Sequence, residues 1–402
     1  MIRKVLLASL FLAAGSSAFA GMDLDRITLP PGFTIEVYAE VPDARSLAAG
    51  DDGVVFVSNR KGRSVYAILP GRDKRRVVEI GGGLSTPNGI AYRDGDLYVA
   101  EIDRVLRYAD INGRLENPPK PETLPVDLPD KRHHGWRYIA FGPDGKLYVS
   151  IGAPCNVCEE DGFALIERMN VDGSGRETVA RGVRNSVGFT WHPETEELWF
   201  TDNGRDMLGD DRPPCELNRV SEAGQHFGFP YCHGGDIKDP KFGVGQSCAN
   251  YVPPVQRLGP HVAPLGLKFY TGATFPERYR GQVFIAEHGS WNRSEKIGYR
   301  ITIVSHDAGR GTGYSTFADG WLDGQKTLGR PVDLLIMQEV SMLVSDDLNG
   351  LVYRIVYGAP PRLEIPTSTL SIKKPNPLFR VLRELWSAVN GFRKVQPFLL
   401  LM

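Results

Sequence analysis

One four-residue pattern, repeated six times, constrains this chain more than any other feature. An apolar residue, a large and mostly aromatic one, a second apolar residue and a small one follow in order. The copies are Val55-Phe56-Val57-Ser58, Leu97-Tyr98-Val99-Ala100, Leu147-Tyr148-Val149-Ser150, Leu198-Trp199-Phe200-Thr201, Val283-Phe284-Ile285-Ala286 and Met342-Leu343-Val344-Ser345. They begin 42, 50, 51, 85 and 59 residues apart. Most follow a tight-turn signal such as Asp51-Asp52-Gly53, Asp94-Gly95 or Pro143-Asp144-Gly145. A continuous apolar run just after a turn is the signature of a strand buried on both faces. Repeats of about 40–50 residues are the range of propeller blades, each a four-stranded sheet. Six copies across residues 24–358 therefore predict an all-β chain, one six-bladed β-propeller of four-stranded antiparallel blades. The 85-residue gap calls for an insertion, and residues 206–260 supply it, rich in Gly, Pro and Asp. The competing architecture is a two-sheet sandwich with coincidental spacing. Gly 45 and Pro 29 in 402 residues exceed average usage and suit many short strands better than long helices.

The ends differ from the repeats. Arg3 and Lys4, the apolar run Val5 to Ala14 and Ala18-Phe19-Ala20 read as a cleavable export leader over residues 1–20, too short to span a bilayer. The alternative is an uncleaved anchor. The expected location is periplasmic or secreted. Past Gly358, a Pro-rich linker leads to Leu378, Leu382, Leu385 and Val389 at helical spacing, beside Arg380, Arg383, Arg393 and Lys394. This basic amphipathic tail over 359–402 could make peripheral contact with an anionic membrane, pack on the propeller, or be a poorly ordered end. The balance of 47 Lys+Arg against 48 Asp+Glu excludes a strongly basic, nucleic-acid-binding chain. Five cysteines are too few for a disulfide scaffold, and their odd number leaves at least one thiol over. A local disulfide is expected for Cys155-Asn156-Val157-Cys158, and Cys232 with Cys248 is a plausible second pair, which leaves Cys215 free.

Chemistry could gather in three clusters. Polar residues follow the repeated strands (Asn59-Arg60, Glu101, Asp202-Asn203, Glu287-His288 and Asp346-Asp347), so if those strands line the channel, one face of the ring collects them. The first cluster, Lys131 to Arg137, holds His133 and His134, where an imidazole would suit proton abstraction near neutral pH or be a hydrogen-bonded structural residue. In the second, Arg184-Asn185 leads into Asp202-Asn203-Gly204-Arg205-Asp206, with oxygen ligands of the kind Ca²⁺ takes or a plain acidic loop. The third is Glu287 to Arg293, joined by Gly329-Arg330-Pro331, whose arginines could converge on a polyanionic ligand. No Gly-rich nucleotide fingerprint, P-loop or G-x-S-x-G elbow is present.

On these residues the sequence resembles the glucose/sorbosone dehydrogenase family, the soluble quinoproteins that carry pyrroloquinoline quinone (PQQ) on a six-bladed propeller. The similarity runs from about Leu29 to Tyr357. Its motifs are His133 to Arg137 with Phe141-Gly142-Pro143-Asp144-Gly145, Arg184-Asn185, Asp202 to Arg205, Glu216-Leu217-Asn218, Phe227-Gly228-Phe229-Pro230 and Glu287 to Arg293. It looks closest to the sorbosone-dehydrogenase-like branch. The resemblance implies PQQ and Ca²⁺ as cofactors, a sugar substrate and an electron acceptor in the periplasm. It implies His133 as general base, with His134 one register away, and Arg184, Asn185, Asn203, Arg293 and Arg330 around PQQ. Carbonyls of Gly204 and Arg205 would hold the Ca²⁺. The chain departs from the better-known glucose dehydrogenases at Pro87, Ala153, Cys158 and Cys215, which weakens the carry-over of a second metal site and of glucose as substrate. Three functions compete: a PQQ-dependent sugar dehydrogenase, a metal-dependent lactonase-type hydrolase, and a propeller that binds without catalysis. Arg184, Arg293 and Arg330 favour the first, since a lactonase has no need of arginines around its ion.

Overall fold

The structure, a computed structural model, describes residues 22–71 and 75–358. The leader and the tail read from the sequence lie outside them. Six sheets, each built on four antiparallel strands and one of them extended by a short fifth strand, follow one another along the chain as the blades of a propeller. Among the described residues the only helices are five short 3₁₀ turns, and none is long and apolar enough to cross a membrane.

Each copy of the repeated pattern is the second strand of its blade, and not the innermost, which corrects the channel-lining placement considered above. The first strands are Leu47–Ala49, Gly89–Arg93, Ile139–Phe141, Phe189–Trp191, Pro264–Phe269 and Pro331–Ile336. They meet their counterparts in neighbouring blades: the first strand of blade 1 touches those of blades 2 and 6, and that of blade 5 touches those of blades 4 and 6. The turn signals ahead of the repeats close the hairpins between first and second strands.

The pattern has a packing cause. In every blade the two flanking apolar residues face the preceding blade and the large central residue faces the next. Val55 and Val57 pack against blade 6 while Phe56 packs against blade 2. Leu97 and Val99 return that contact to blade 1, and Tyr98 turns to blade 3. The same division holds for Tyr148, Trp199, Phe284 and Leu343. A strand alternates its side chains between two faces, and here both faces are interior, so no polar position is left in the run. Six apolar cores result, one per junction between blades.

The ring closes through its ends. Phe33–Glu40 pairs antiparallel with Leu351–Tyr357 and becomes the outermost strand of blade 6, whose other three strands come from the C-terminal end of the fold. The long gap is resolved differently from the sequence reading. Residues 206–260 include the third and fourth strands of blade 4, Pro214–Val220 and Gln256–Pro260. The true excursion is 221–255, where Gln225–His226 extends blade 3 and Cys232–His233 pairs with Ile237–Lys238. Both anticipated disulfides are present, Cys155–Cys158 and Cys232–Cys248, and Cys215 is a buried free thiol.

Candidate active site

The segments entering the first strands and leaving the second strands of the blades emerge at the same end of the ring. There they enclose a pocket of about 300 Å³, at the low end for small-molecule sites. His133, His134 and Trp136 reach it from ahead of blade 3, Arg184 and Asn185 from ahead of blade 4, Arg330 from ahead of blade 6 and Arg45 from ahead of blade 1. Arg60, Asn203, Gly204 and His288 reach it from the far ends of second strands. Beneath them, Trp136 packs on Val187, Leu265 and Val332, closing the channel with an apolar layer.

Four guanidiniums line this pocket against one lining carboxylate, Asp206. Arg184 has four of its five N–H groups engaged: Nε donates to the Asn156 carbonyl (2.9 Å), Nη1 to the Asn203 carbonyl (3.1 Å), and Nη2 to Asn156 Oδ1 (2.9 Å) and Asp206 Oδ2 (3.0 Å). Arg45, 1% exposed, donates to Asn88 Oδ1 (3.0 Å) and to Asp347 Oδ2 (2.9 Å). The other two are uncompensated. Arg330 donates only to the carbonyls of His288 (3.1 Å) and Gly289 (3.3 Å). Arg60 has no side-chain hydrogen bond or ion pair among the described residues and lies over the Trp136 ring, 4.8 Å from its centroid. Burial, reinforced by Arg45 and opposed by Asp347, lowers the Arg60 pKa to about 10. Two half-buried cations in one small cavity, influenced by Asp347 but ion-paired with no carboxylate among the described residues, leave unmet charge that an incoming anion would relieve.

The histidines divide by their partners. His134 is buried in a left-handed backbone conformation (φ 49°), and its Nδ1 lies 2.8 Å from the Ala153 carbonyl. Since that carbonyl can only accept, Nδ1 carries the proton and Nε2 is left as a lone-pair acceptor. Burial above all, with Arg184 and His133 adding to it, pushes the His134 pKa down to about 2, so the imidazole is neutral. His133 is exposed, its ring 4.1 Å from that of His134, and burial and Arg184 lower its pKa more mildly. Across the pocket, His288 Nε2 meets both Asp347 oxygens, at 2.9 and 3.1 Å. Asp347 opposes burial there, yet burial wins and the His288 pKa falls to about 4. With Arg45 supplying the countercharge, Asp347 is ionised and the imidazole neutral.

Below the pocket, Asp202 fixes the backbone that presents Arg184 and Asn185, accepting their N–H groups at 2.8 and 2.7 Å. Burial and the neighbouring Glu216 raise its pKa to about 7. Asn203 Nδ2 donates to the Asn185 and Pro264 carbonyls (2.9 and 3.2 Å), while the Asn185 side chain has no partner among the described residues. Asn185 is therefore a free amide at the pocket.

Of the residues anticipated from sequence, His133, Arg184, Asn185, Asn203, Gly204 and Arg330 come together at this pocket. Two do not line it. The Arg293 side chain engages Asp211 (3.1 Å) and the Glu295 carbonyl (3.1 Å), and Arg205 turns its guanidinium to Asp239 (2.6 Å). Sequence reasoning missed Arg45 and Asp347 as a pair, Arg60 as a lining cation, and His261 and Trp291; the indole of Trp291 stands 71% exposed at the rim. Arg60 and Asp347 carried a signal in their places after repeated strands, and Trp291 lay within the third cluster, while Arg45 and His261 carried none.

The TrAA12-like family model matches residues 27–355. A protein of Borreliella burgdorferi, described as uncharacterized, is 34% identical over 371 residues, covering 88% of this chain and 96% of that one. Among solved structures, the family AA12 carbohydrate-active enzyme of Trichoderma reesei, seen in iodide and calcium forms, superposes with a TM-score of 0.72 at 19 and 18% identity. The alignments cover 83% of this chain and 98 and 97% of those. The holo pyranose dehydrogenase PQQ domain of Coprinopsis cinerea gives 0.69 at 18% identity, covering 82% and 97%. At these identities the three structures speak to the shared propeller, and none bears on the sorbosone-type branch. On the match of its whole blade region, this chain belongs to the TrAA12-like family.

Proposed function

We propose that the protein is a PQQ-dependent oxidoreductase acting on an aldose or a related sugar or aldehyde. The observation that carries this is the pair of uncompensated guanidiniums, Arg60 and Arg330, sharing one pocket with an imidazole whose acceptor nitrogen is left free. PQQ, when bound, supplies a hydride-accepting ortho-quinone and three carboxylates. The residues fit such a group: Arg60 and Arg330 would take carboxylates, and the free Asn185 amide would bond a polar edge. Arg184 has one N–H left on Nη1 and otherwise braces Asn156, Asn203 and Asp206.

We assign the general base to His134 in place of His133. The Ala153 carbonyl fixes its tautomer, so Nε2 can accept the proton of a sugar hydroxyl, and Gly152 lets the ring approach, since a Cβ there would meet His134 Cβ at 2.7 Å. An anion beside Arg184 would offset the charge that helps depress the imidazole and raise its proton affinity.

For Ca²⁺ the pocket offers mainly neutral oxygens. Among the described residues no three His, Cys, Asp or Glu gather in a metal-binding group, and Asp206 is committed to Arg184. The ion would rest on the Gly204 carbonyl, which lines the pocket, and on ligand carboxylates, hard donors of the right kind, with the Arg205 carbonyl that the sequence resemblance implies adjoining from outside the lining. Two disulfides and the leader-like N-terminus support export to an oxidising compartment, where an acceptor takes the electrons.

Reconstitution tests the reading: purified mature protein, PQQ, Ca²⁺, a redox dye and a panel of sugars. Dye reduction that needs PQQ and a sugar is expected, with Ca²⁺ enhancing it. PQQ binding with no turnover on any sugar or aldehyde would point instead to a propeller that only binds.

A further inference from the structure

Beside the pocket lies a second concavity, a groove of about 530 Å³, and Arg60 and Trp136 line both. The groove's other charged lining residues are Lys61, Arg63 and Arg132, and no carboxylate lines it. Two acids close by are already engaged. Asp43 accepts the backbone N–H groups of Arg60, Lys61 and Gly62, and Glu101 is held by Arg104 and the Ser85 N–H. Arg63 donates only to the carbonyls of Leu84 (2.8 Å) and Gly83 (3.0 Å). Lys61 and Arg132 are exposed, with no side-chain hydrogen bond or ion pair among the described residues. In a chain with 47 basic and 48 acidic residues, four cations without an acid in one concavity is a segregation that composition does not force. Segregated charge in a cleft concentrates counter-ions, and guanidiniums take carboxylates through paired hydrogen bonds.

We propose that this groove is a subsite for an acidic saccharide, holding a carboxylate-bearing sugar unit next to the unit in the pocket. The proposal rests on the sugar-oxidising reading and adds a substrate class to it. Trp136 is the joint. Its indole is shared by groove and pocket, and Arg60 over it places a cation where the two units meet. The hydroxyls of Ser85 and Thr86 line the same groove and suit a polyol. An acidic redox protein would also be drawn to these cations, but a concave groove joined to the pocket by one aromatic wall fits a chain of sugars better than a protein surface.

The test is calorimetric binding of digalacturonate and of neutral galactobiose to the PQQ-loaded chain, and to the variant carrying Lys61→Gln and Arg132→Gln. Both side chains are exposed, so the fold should be kept, and a thermal melt checks this. We expect digalacturonate to bind about tenfold more tightly at low salt. That advantage should shrink as salt is raised and vanish in the double variant. Equal binding of the two sugars, or an advantage that survives the double substitution, would overturn the proposal. So would a double variant that alters only the KM for a protein electron acceptor. If PQQ does not bind at all, the oxidoreductase reading fails, while the comparison of the two sugars is still read on the cofactor-free chain and judges the groove separately.

Discussion

Arg60 concentrates the argument at the scale of single residues, because its charge is half-buried, stacked on Trp136 and in direct ion pair with no carboxylate among the described residues, Asp347 and Asp43 acting on it only from a distance. A charge-assisted hydrogen bond is worth about 1.5–3 kcal/mol, so Arg60→Gln and Arg330→Gln should each weaken PQQ binding about 10–100-fold. Equilibrium dialysis against the cofactor measures this directly. Arg293→Gln should change it little, since Arg293 does not line the pocket. For the two adjacent histidines, His134→Asn should keep PQQ binding and lower turnover about 10²–10⁴-fold, while His133→Asn should cost far less. The reverse order would return the base to the position the sequence resemblance indicated. His288 supplies a pH prediction. Its unfolded imidazole takes a proton near pH 6.5, the folded one only near about 4, so between those values the unfolded chain binds more protons. Stability therefore falls as the pH drops through that window, by at most about 1.4 kcal/mol per pH unit for this group. The drop in Tm between pH 7 and pH 5 should be smaller in His288→Asn than in the parent. At this scale the sequence showed which residue types would gather but not their partners. A backbone carbonyl such as that of Ala153 leaves no mark in a sequence, and the pairing of Arg45 with Asp347 joins residues 302 positions apart.

At the scale of elements, the repeated strand was legible because every blade makes the same demand on it: two apolar side chains toward one neighbour and a large one toward the other. The first strands were harder to see. They are as short as three residues, and some contain or directly follow a glycine where backbone must meet backbone. Gly89 faces the Arg137 carbonyl and the Ile139 amide of the next blade, where a Cβ would come within 2.6 and 2.8 Å. Gly188 stands likewise against the Leu265 carbonyl. Gly89→Ala and Gly188→Ala should each destabilise the protein by about 2 kcal/mol through forced separation of neighbouring first strands. Chemical denaturation measures this, and an unchanged midpoint would mean the ring yields there at little cost. The long gap misled for a physical reason too. Pro214–Val220 and Gln256–Pro260 are interrupted by a Gly- and Pro-rich excursion, so composition alone made blade 4 look like insertion.

For the whole molecule, the ring explains why residues far apart in sequence form one site. Each blade delivers the segment entering its first strand and the end of its second strand to the same face, and five of the six blades place a lining residue in the pocket. Closure by Phe33–Glu40 on Leu351–Tyr357 had no local signal, because pairing of the two ends is a property of the ring and not of either segment. Charge is arranged on the same scale. The chain is close to neutral overall, yet four guanidiniums and one carboxylate line the pocket, and two of the guanidiniums make no ion pair among the described residues. The central claim is that these cations await a polycarboxylate cofactor. Titration of PQQ into the purified, cofactor-free protein, followed by quenching of tryptophan fluorescence, tests it most directly. The account predicts saturable binding of one PQQ per chain, weakened about 100-fold or more when Arg60→Gln and Arg330→Gln are combined. No binding, or binding that the double substitution leaves unchanged, would contradict it.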